Sequence, residues 1–444
     1  MTLRTSNERL LSLDVFRGFT IASMVLVNNP GNWSQIYAPL KHADWHGWTF
    51  TDWIFPFFLF ICGVSLVLST AVARDSAALT STTKRRAALL HVWRRSLIVI
   101  AIGLGLNFIP SFSFETLRFP GVLQRIGLCM LVAAPLVLYV RPRSQAAWAI
   151  ALMAIYAVIE LLVPVPDASG VIVAGMLEPG RDVGAFLDRA LMSGHLWAKA
   201  KTWDPEGLFS TLPAISTVLF GALTGHWLER RDHAPASKTV WMLLAGLAAL
   251  FVGVVLDAVL MPINKSLWTP SYAVFTTGWA LLLFGASYWL IDACDSTRVK
   301  KRAAALCTPF AMYGVNALFI FVLSGLVARV LGMITWQVVA HSTDTVAKTV
   351  SLKDWLVAHI SALPIAPINA SLLYAVLFNL VMLSVAALLW QRRIIINYDS
   401  FSAAIDGDFV ARPVGGLLIA ALENCCQRFA ATAHYWRATA SCAT

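Results

Sequence analysis

Residues 28–52 carry two histidines (His42, His46), two aspartates (Asp44, Asp52), three asparagines (Asn28, Asn29, Asn32) and three tryptophans (Trp33, Trp45, Trp48), with apolar stretches on both sides. A connector between apolar segments needs only to be polar and to turn. This one holds more chemistry than that. A neutral imidazole takes up and returns a proton near neutral pH, because its ordinary pKa is about 6.5. A carboxylate on one ring nitrogen fixes the tautomer, and Asp44 and Asp52 are both candidates for that service to His42. The side-chain amide of Asn28 offers N–H groups to developing negative charge. Flat indole faces such as that of Trp45 stack on a sugar ring or anchor at a membrane interface. Most loop histidines are simply solvated, so residue types alone nominate this stretch without fixing its role.

What has to position the loop is a membrane-spanning frame. Hydrophobic residues make up 58% of the 444 and charged residues only 13%, against roughly 25% charged in soluble domains. Apolar runs approaching the roughly 20 residues of a span recur along the chain. The pattern predicts an all-α, polytopic transmembrane helical bundle of about ten spans within residues 1–395. A weakly patterned cytoplasmic tail, 396–444, follows. The net charge of +10 does not point to nucleic acid: Lys and Arg fall in short connectors, twenty on one side of the predicted spans and nine on the other. That asymmetry is the positive-inside pattern. It puts both termini in the cytoplasm and His42 on the far face, which is periplasmic in a bacterial inner membrane. The polar residues 1–10 predict no cleavable leader. The seven cysteines show no CxxC spacing, so neither a disulfide framework nor a metal site is expected.

The predicted spans lie near 10–28, 53–73, 96–109, 119–141, 146–163, 208–228, 238–260, 271–291, 303–333 and 368–390. Several hold polar groups that need a reason. Asp14 and Arg17 share a helical face at i,i+3 and read either as a helix-end ion pair or as a cation for an anionic ligand. Gln124 and Arg125 lie about a turn inside the fourth span, where an arginine does not face lipid. Gly103 and Gly105 allow close helix approach in the third. Residues 303–333 are long enough to tilt or break near Gly314 and Asn316. Asp204 and Glu206 stand at the mouth of the sixth, a position that favours carboxylates in any helix.

Several short motifs occur in order. They are Ser-Leu-Asp-Val-Phe-Arg-Gly at 12–18, Val-Asn at 27–28, Lys-His-Ala-Asp-Trp-His-Gly at 41–47 and Asp-Trp-Ile-Phe-Pro-Phe-Phe-Leu-Phe-Ile-Cys-Gly at 52–63. Phe-Pro-Gly-Val-Leu-Gln-Arg at 119–125, Asp-Pro-Glu-Gly at 204–207, Pro-Ile-Asn-Lys-Ser-Leu-Trp at 262–268 and Gly-Val-Asn at 314–316 follow. Together they resemble the heparan-α-glucosaminide N-acetyltransferase family over roughly residues 10–395. The resemblance implies a transmembrane acyltransferase. Acetyl-CoA from the cytoplasm would give its acetyl group to the amine of a glucosamine-type sugar on the other side. It implies that His42 is the active histidine and Asn28 the family's asparagine. In lysosomal members a luminal domain precedes the core, which weakens the case for a heparan-type polymer as acceptor here. His46 stands where relatives often carry asparagine.

Within that chemistry the amine must lose a proton and the thioester oxygen must meet hydrogen-bond donors. His42 would act as general base or as an acyl-accepting nucleophile, oriented by Asp44 or Asp52, with Asn28 donating to the oxyanion. Arg17, Arg125, Gln124 and Asn316 are the candidates for holding coenzyme A. Arg94 and Arg95 are also accounted for by topology alone. Trp45, Asp204 and Glu206 are the candidates for the sugar. The expected partners are the amino-sugar acceptor, coenzyme A and the lipid bilayer, and a homodimer is compatible with the sequence. The competing reading is a secondary transporter of a sugar or organic acid. It calls for an internal repeat of broken helices, which the two halves of the sequence do not display. A non-catalytic scaffold leaves the polar groups within the spans unexplained.

Overall fold

The computed structural model of the chain describes residues 10–75, 79–109, 111–338 and 348–396. The helices among them are α1 (Leu11–Asn28), α2 (Phe50–Asp75), α3 (Leu79–Phe108), α4 (Val122–Tyr139), α5 (Pro142–Leu162), α6 (Val183–Met192), α7 (Thr211–Glu229) and α8 (Pro235–Val259). They continue with α9 (Pro270–Tyr288), α10 (Thr297–Leu306), α11 (Thr308–Val315), α12 (Ala317–Met333), α13 (Leu352–Ser361) and α14 (Pro367–Gln391). Among the described residues sheet is confined to two small antiparallel pairs, β1 (Val165–Pro166) with β2 (Ile172–Val173) and β3 (Thr335–Val338) with β4 (Lys348–Ser351).

Eight helices (α1, α2, α3, α4, α5, α8, α9 and α14) are long and apolar enough to cross a membrane, and the bent pair α11–α12 makes a ninth if taken as one span. The expected tenth, 208–228, is the helix α7. It is buried along most of its length, but Ser216, Thr217, Thr224, His226 and Glu229 dilute its apolar run. The third helix also departs from its expected bounds. It starts at Leu79, so the cationic stretch 84–95 is helix and not connector. Lys, Arg, Ala and Leu are strong helix formers, and no Gly or Pro interrupts residues 79–102. The run 303–333 breaks twice, at Cys307 ahead of Pro309 and at Asn316, where α11 and α12 meet at 84°. The tail from residue 397 lies outside the described residues.

The centre is aromatic. Phe16 of α1 lies 5.5 Å from Phe57 of α2 and 5.7 Å from Phe284 of α9, ring centre to ring centre. α1 and α11 meet without side chains between them: a Cβ on Gly18 would sit 1.6 Å from the Phe310 carbonyl oxygen, and one on Gly314 1.8 Å from that of Asp14. Only glycine permits that approach. Gly103 likewise admits Gln124, whereas Gly105 has open space beside it. On the far side of the bundle α8 packs on α9 and leaves Leu244, Leu247, Phe251 and Val254 exposed, the apolar stripe that a bilayer would cover.

Candidate active site

Asp52 falls in the first turn of α2, where a carboxylate favours helix initiation. It accepts the backbone N–H groups of Thr49 at 3.0 Å and Ala43 at 3.1 Å and the Thr49 hydroxyl at 3.2 Å. Its other carboxylate oxygen meets His42 Nδ1 at 2.6 Å. The Asp52 side chain is 1% exposed and that of His42 45%. A carboxylate so placed can only accept, so Nδ1 carries the proton and Nε2 keeps its lone pair. Asp52 therefore holds the ring in one tautomer and one orientation, with the basic nitrogen on the open side.

The turn between α8 and α9 supplies the third member. Asn264 accepts the Leu267 N–H at 3.0 Å and its own N–H donates to the Thr269 hydroxyl at 3.1 Å, which folds the turn tightly. Trp268, wholly buried, donates to Thr217 on α7 at 3.2 Å. Lys265 projects from this turn. Its Nζ lies 3.1 Å from His42 Nδ1, 3.2 Å from Nε2 and 3.9 Å from Asp52 Oδ1, so the ammonium rests against the imidazole near both ring nitrogens. Burial lowers the Lys265 pKa and the charge of Arg125 adds to that, while Asp52 and Glu206 oppose it. Backbone and side-chain bonds tie this turn to the His42 loop. The Gly47 N–H donates to the Ile263 carbonyl at 2.8 Å, Tyr272 donates to the Asp52 carbonyl at 2.6 Å, and Asn264 meets His46 Nδ1 at 3.3 Å.

Behind Lys265 the charges continue. Arg118 grips Asp204 through Nε at 2.8 Å and through Nη2, which also reaches Glu206 at 2.6 Å. Burial works against the charged form of Arg118, yet the pairing with Asp204 and Glu206 raises its pKa above the ordinary value. Arg118, Lys265 and Arg125 likewise hold Glu206 below the usual carboxylate range. Arg125 is 1% exposed, donates to the Gly207 carbonyl at 2.9 Å and to Ser210, and lies 5.2 Å from the Trp268 ring centre. Its Nε and Nη1 have no hydrogen-bond partner among the described residues.

The expected site residues therefore divide. His42 and Asp52 meet, and Asp44 does not take part: its side chain is 89% exposed and pairs with Lys41 at 2.6 Å. Asn28 is exposed at the end of α1, with no hydrogen bond to His42, while the neighbouring Asn29 is buried and donates to the Val25 carbonyl at 2.8 Å. Trp45 donates to the Leu177 carbonyl at 2.7 Å and packs edge-on against Trp203 at 5.0 Å, which fixes it in a wall. Asp204 and Glu206 are engaged by Arg118 instead of standing open to a sugar.

The four coenzyme A candidates separate into two pairs. Arg125 and Gln124 belong to the His42 end. Gln124 is buried between Gly103 and Gly121, and its Nε2 lacks a partner. Arg17 lies eleven residues before Asn28, about 16 Å along the helix axis. It donates to Asp14 at 2.9 Å, Ser65 at 2.8 Å and the Gly314 carbonyl at 3.4 Å. Asn316, 2% exposed, caps the break just beyond that carbonyl. The ion-pair reading of Arg17 is thus realised, alongside contacts to two further helices.

Lys265 and Arg118 were not singled out from the sequence. Lys265 is the one cation in residues 260–269 and sits inside the motif at 262–268, which was the available signal. Among the described residues no group of three or more His, Cys, Asp or Glu side chains is arranged to hold a metal ion.

A family model described as heparan-α-glucosaminide N-acetyltransferase, catalytic, matches residues 9–253. The mouse heparan-α-glucosaminide N-acetyltransferase is 28% identical over 378 residues, covering 72% of this chain and 54% of the mouse protein. The human protein of that name is 28% identical over 367 residues, covering 71% and 52%. The chain spans about half the length of these relatives. With the catalytic model lying over more than half of its residues, including the caged Asp52 and the imidazole it holds, the chain belongs to the heparan-α-glucosaminide N-acetyltransferase family.

Proposed function

We propose that this chain is a transmembrane N-acetyltransferase that moves the acetyl group of acetyl-CoA to the amine of a glucosamine-type sugar, with His42 as general base. The observation that carries the reading is the 2.6 Å bond between His42 Nδ1 and a caged Asp52. A base must keep one nitrogen free and correctly aimed through each cycle, and a fixed tautomer provides that. His42 Nε2 accepts a proton from the sugar's ammonium. Asp52 stabilises the imidazolium that results. The proton then passes to the departing thiolate, which restores the neutral ring, and the second proton lost from the nitrogen goes to solvent. The exposed amide of Asn28 is the proposed donor to the carbonyl oxygen. The same lone pair on Nε2 would serve a route in which His42 accepts the acetyl group first.

Arg17 is the proposed coenzyme A contact, and the acid-free cationic run of α3, which includes Arg94 and Arg95, is its proposed companion. Cations away from the His42 end suit a polyphosphate. When bound, acetyl-CoA supplies the activated carbonyl carbon. Arg125 and Gln124, by contrast, are better suited to the sugar end. In this reading the His42 loop faces the periplasm of a bacterial inner membrane and the arginine-rich start of α3 faces the cytoplasm. The charge asymmetry of the connectors supports that orientation.

Purified protein given acetyl-CoA and glucosamine should release thiol and form N-acetylglucosamine in equal amounts. Acetyl label retained on the wild-type protein and absent from a His42→Ala variant would favour the nucleophilic route. Sugar uptake into vesicles without thiol release would replace the enzyme reading with the transporter. The broken pair α11–α12 is the one feature favouring transport, and the described helices contain no second such pair.

A further inference from the structure

In this structure the open nitrogen of His42 is already in contact with an amine. Lys265 Nζ lies 3.2 Å from Nε2 and 3.1 Å from Nδ1, and its side chain is 21% exposed. Nδ1 is committed to Asp52. The acceptor that remains for a Lys265 N–H is therefore Nε2. This is the contact that the ammonium of an acceptor sugar must make to lose its proton. The lysine is held there by Asp52 on one side and the charge of Glu206 on the other, on a turn whose backbone is bonded to the His42 loop. It is a primary amine parked on the proposed base.

We propose that Lys265 is a self-acetylation site: in the absence of acceptor, its amine takes the acetyl group and the enzyme inactivates itself. The proposal rests on the acetyltransferase reading. His42 Nε2 removes a proton from the Lys265 ammonium, and the freed amine attacks the thioester carbonyl. An N–C bond forms and the C–S bond breaks. The coenzyme A sulfur leaves as thiolate and takes the proton held by His42, while the second proton lost from the amine goes to solvent. Lys265 becomes a neutral amide. It can no longer balance Asp52 and Glu206, and its added acetyl group lies over the imidazole. A bound amino sugar prevents this, because its own ammonium displaces Lys265 from Nε2.

The test is peptide mapping by mass spectrometry after incubation of the full chain with acetyl-CoA, with and without saturating glucosamine. Lys41 serves as the internal control, since it is 58% exposed and an indiscriminate reaction would find it first. The expected result is one acetyl group on Lys265, stable to hydroxylamine as an amide should be, gained about tenfold faster than on Lys41. It should be suppressed by glucosamine and slowed to the Lys41 rate in His42→Gln. A Lys265→Arg chain, whose guanidinium is not a nucleophile at this pH, should lose the modification at that peptide. Acetylation of glucosamine with Lys265 left unmodified would overturn the proposal and leave the enzyme reading intact, as would labelling of Lys265 no faster than Lys41 or indifferent to glucosamine. Neither sugar nor lysine acetylated would remove both.

Discussion

The two ends of α1 are built on opposite electrostatic plans. At the Asn28 end cations and carboxylates interleave: His42 on Asp52, Lys265 near Asp52 and in the field of Glu206, Arg118 on Asp204 and Glu206, with Arg125 held by a carbonyl and a hydroxyl. Toward the other end Arg17 pairs with Asp14, its one carboxylate partner among the described residues, and the helical run of Lys84, Arg85, Arg86, Arg94 and Arg95 on α3 contains no acid. A closed set of paired charges moves protons with little change in net charge. An excess of cations instead favours a polyanion. The difference is what a reaction drawing its donor from one face and its acceptor from the other requires.

That contrast can be broken at either end. Removing the base should have the largest effect: His42→Ala lowers the rate of sugar acetylation by at least about 10³-fold, measured as kcat from product formation. Arg118→Ala strands two buried carboxylates, so a loss of about 3–5 kcal/mol of stability is expected, seen as a collapse in the yield of monodisperse protein in detergent. Asp52→Asn leaves a hydrogen bond but favours the wrong tautomer, and kcat should fall about 10²-fold with KM for the sugar little changed. At the other end Arg17→Gln should raise KM for acetyl-CoA about tenfold, near the value of one charge-assisted hydrogen bond. An unchanged KM there would dissolve the proposed division of labour.

The smallest effect concerns an acid outside both groups. Asp188 is 2% exposed and accepts the Leu208 N–H at 3.1 Å, and burial, with Asp204 and Asp182 nearby, pushes its pKa up to about 7. The folded value lies above the unfolded one, so folding favours the protonated form. The stability it contributes is full below about pH 4 and is lost as the pH rises through about 7. Asp188→Asn keeps the acceptor and discards the charge. Its apparent melting temperature should exceed that of wild type by a few degrees near pH 8, with the gain shrinking as the pH falls.

Hydrophobic runs located the eight helices long and apolar enough to cross a membrane and the bent pair α11–α12, because a span sets a minimum apolar length, but they also counted α7 among the ten. They misplaced the start of α3, since a charged helix and a charged connector read alike until something buries one face. The choice between Asp44 and Asp52 was not legible either. Both sit close to His42 in sequence, and only the start of α2 at Phe50 turns Asp52 inward and leaves Asp44 in solvent. The partner role of Lys265 depends on a contact spanning 223 positions, which no local pattern encodes. The level of Arg125 was open to inference: the fourth span enters from the same side as the His42 loop, so a residue one turn inside it belongs near that loop. Its neighbours Gly207, Ser210 and Trp268 come from motifs far along the chain.

The bonds from Gly47 to Ile263 and from Asn264 to His46 join two loops more than 200 residues apart, and the bond from Tyr272 to the Asp52 carbonyl joins the helices that follow them. Neither can swing aside alone. Under the proposed function an incoming sugar must find its entrance elsewhere on the rim or lift both together, and a residue inserted into one loop would have to be answered by a change of shape in the other. Engineering a new acceptor preference into this scaffold is therefore a two-loop problem from the outset.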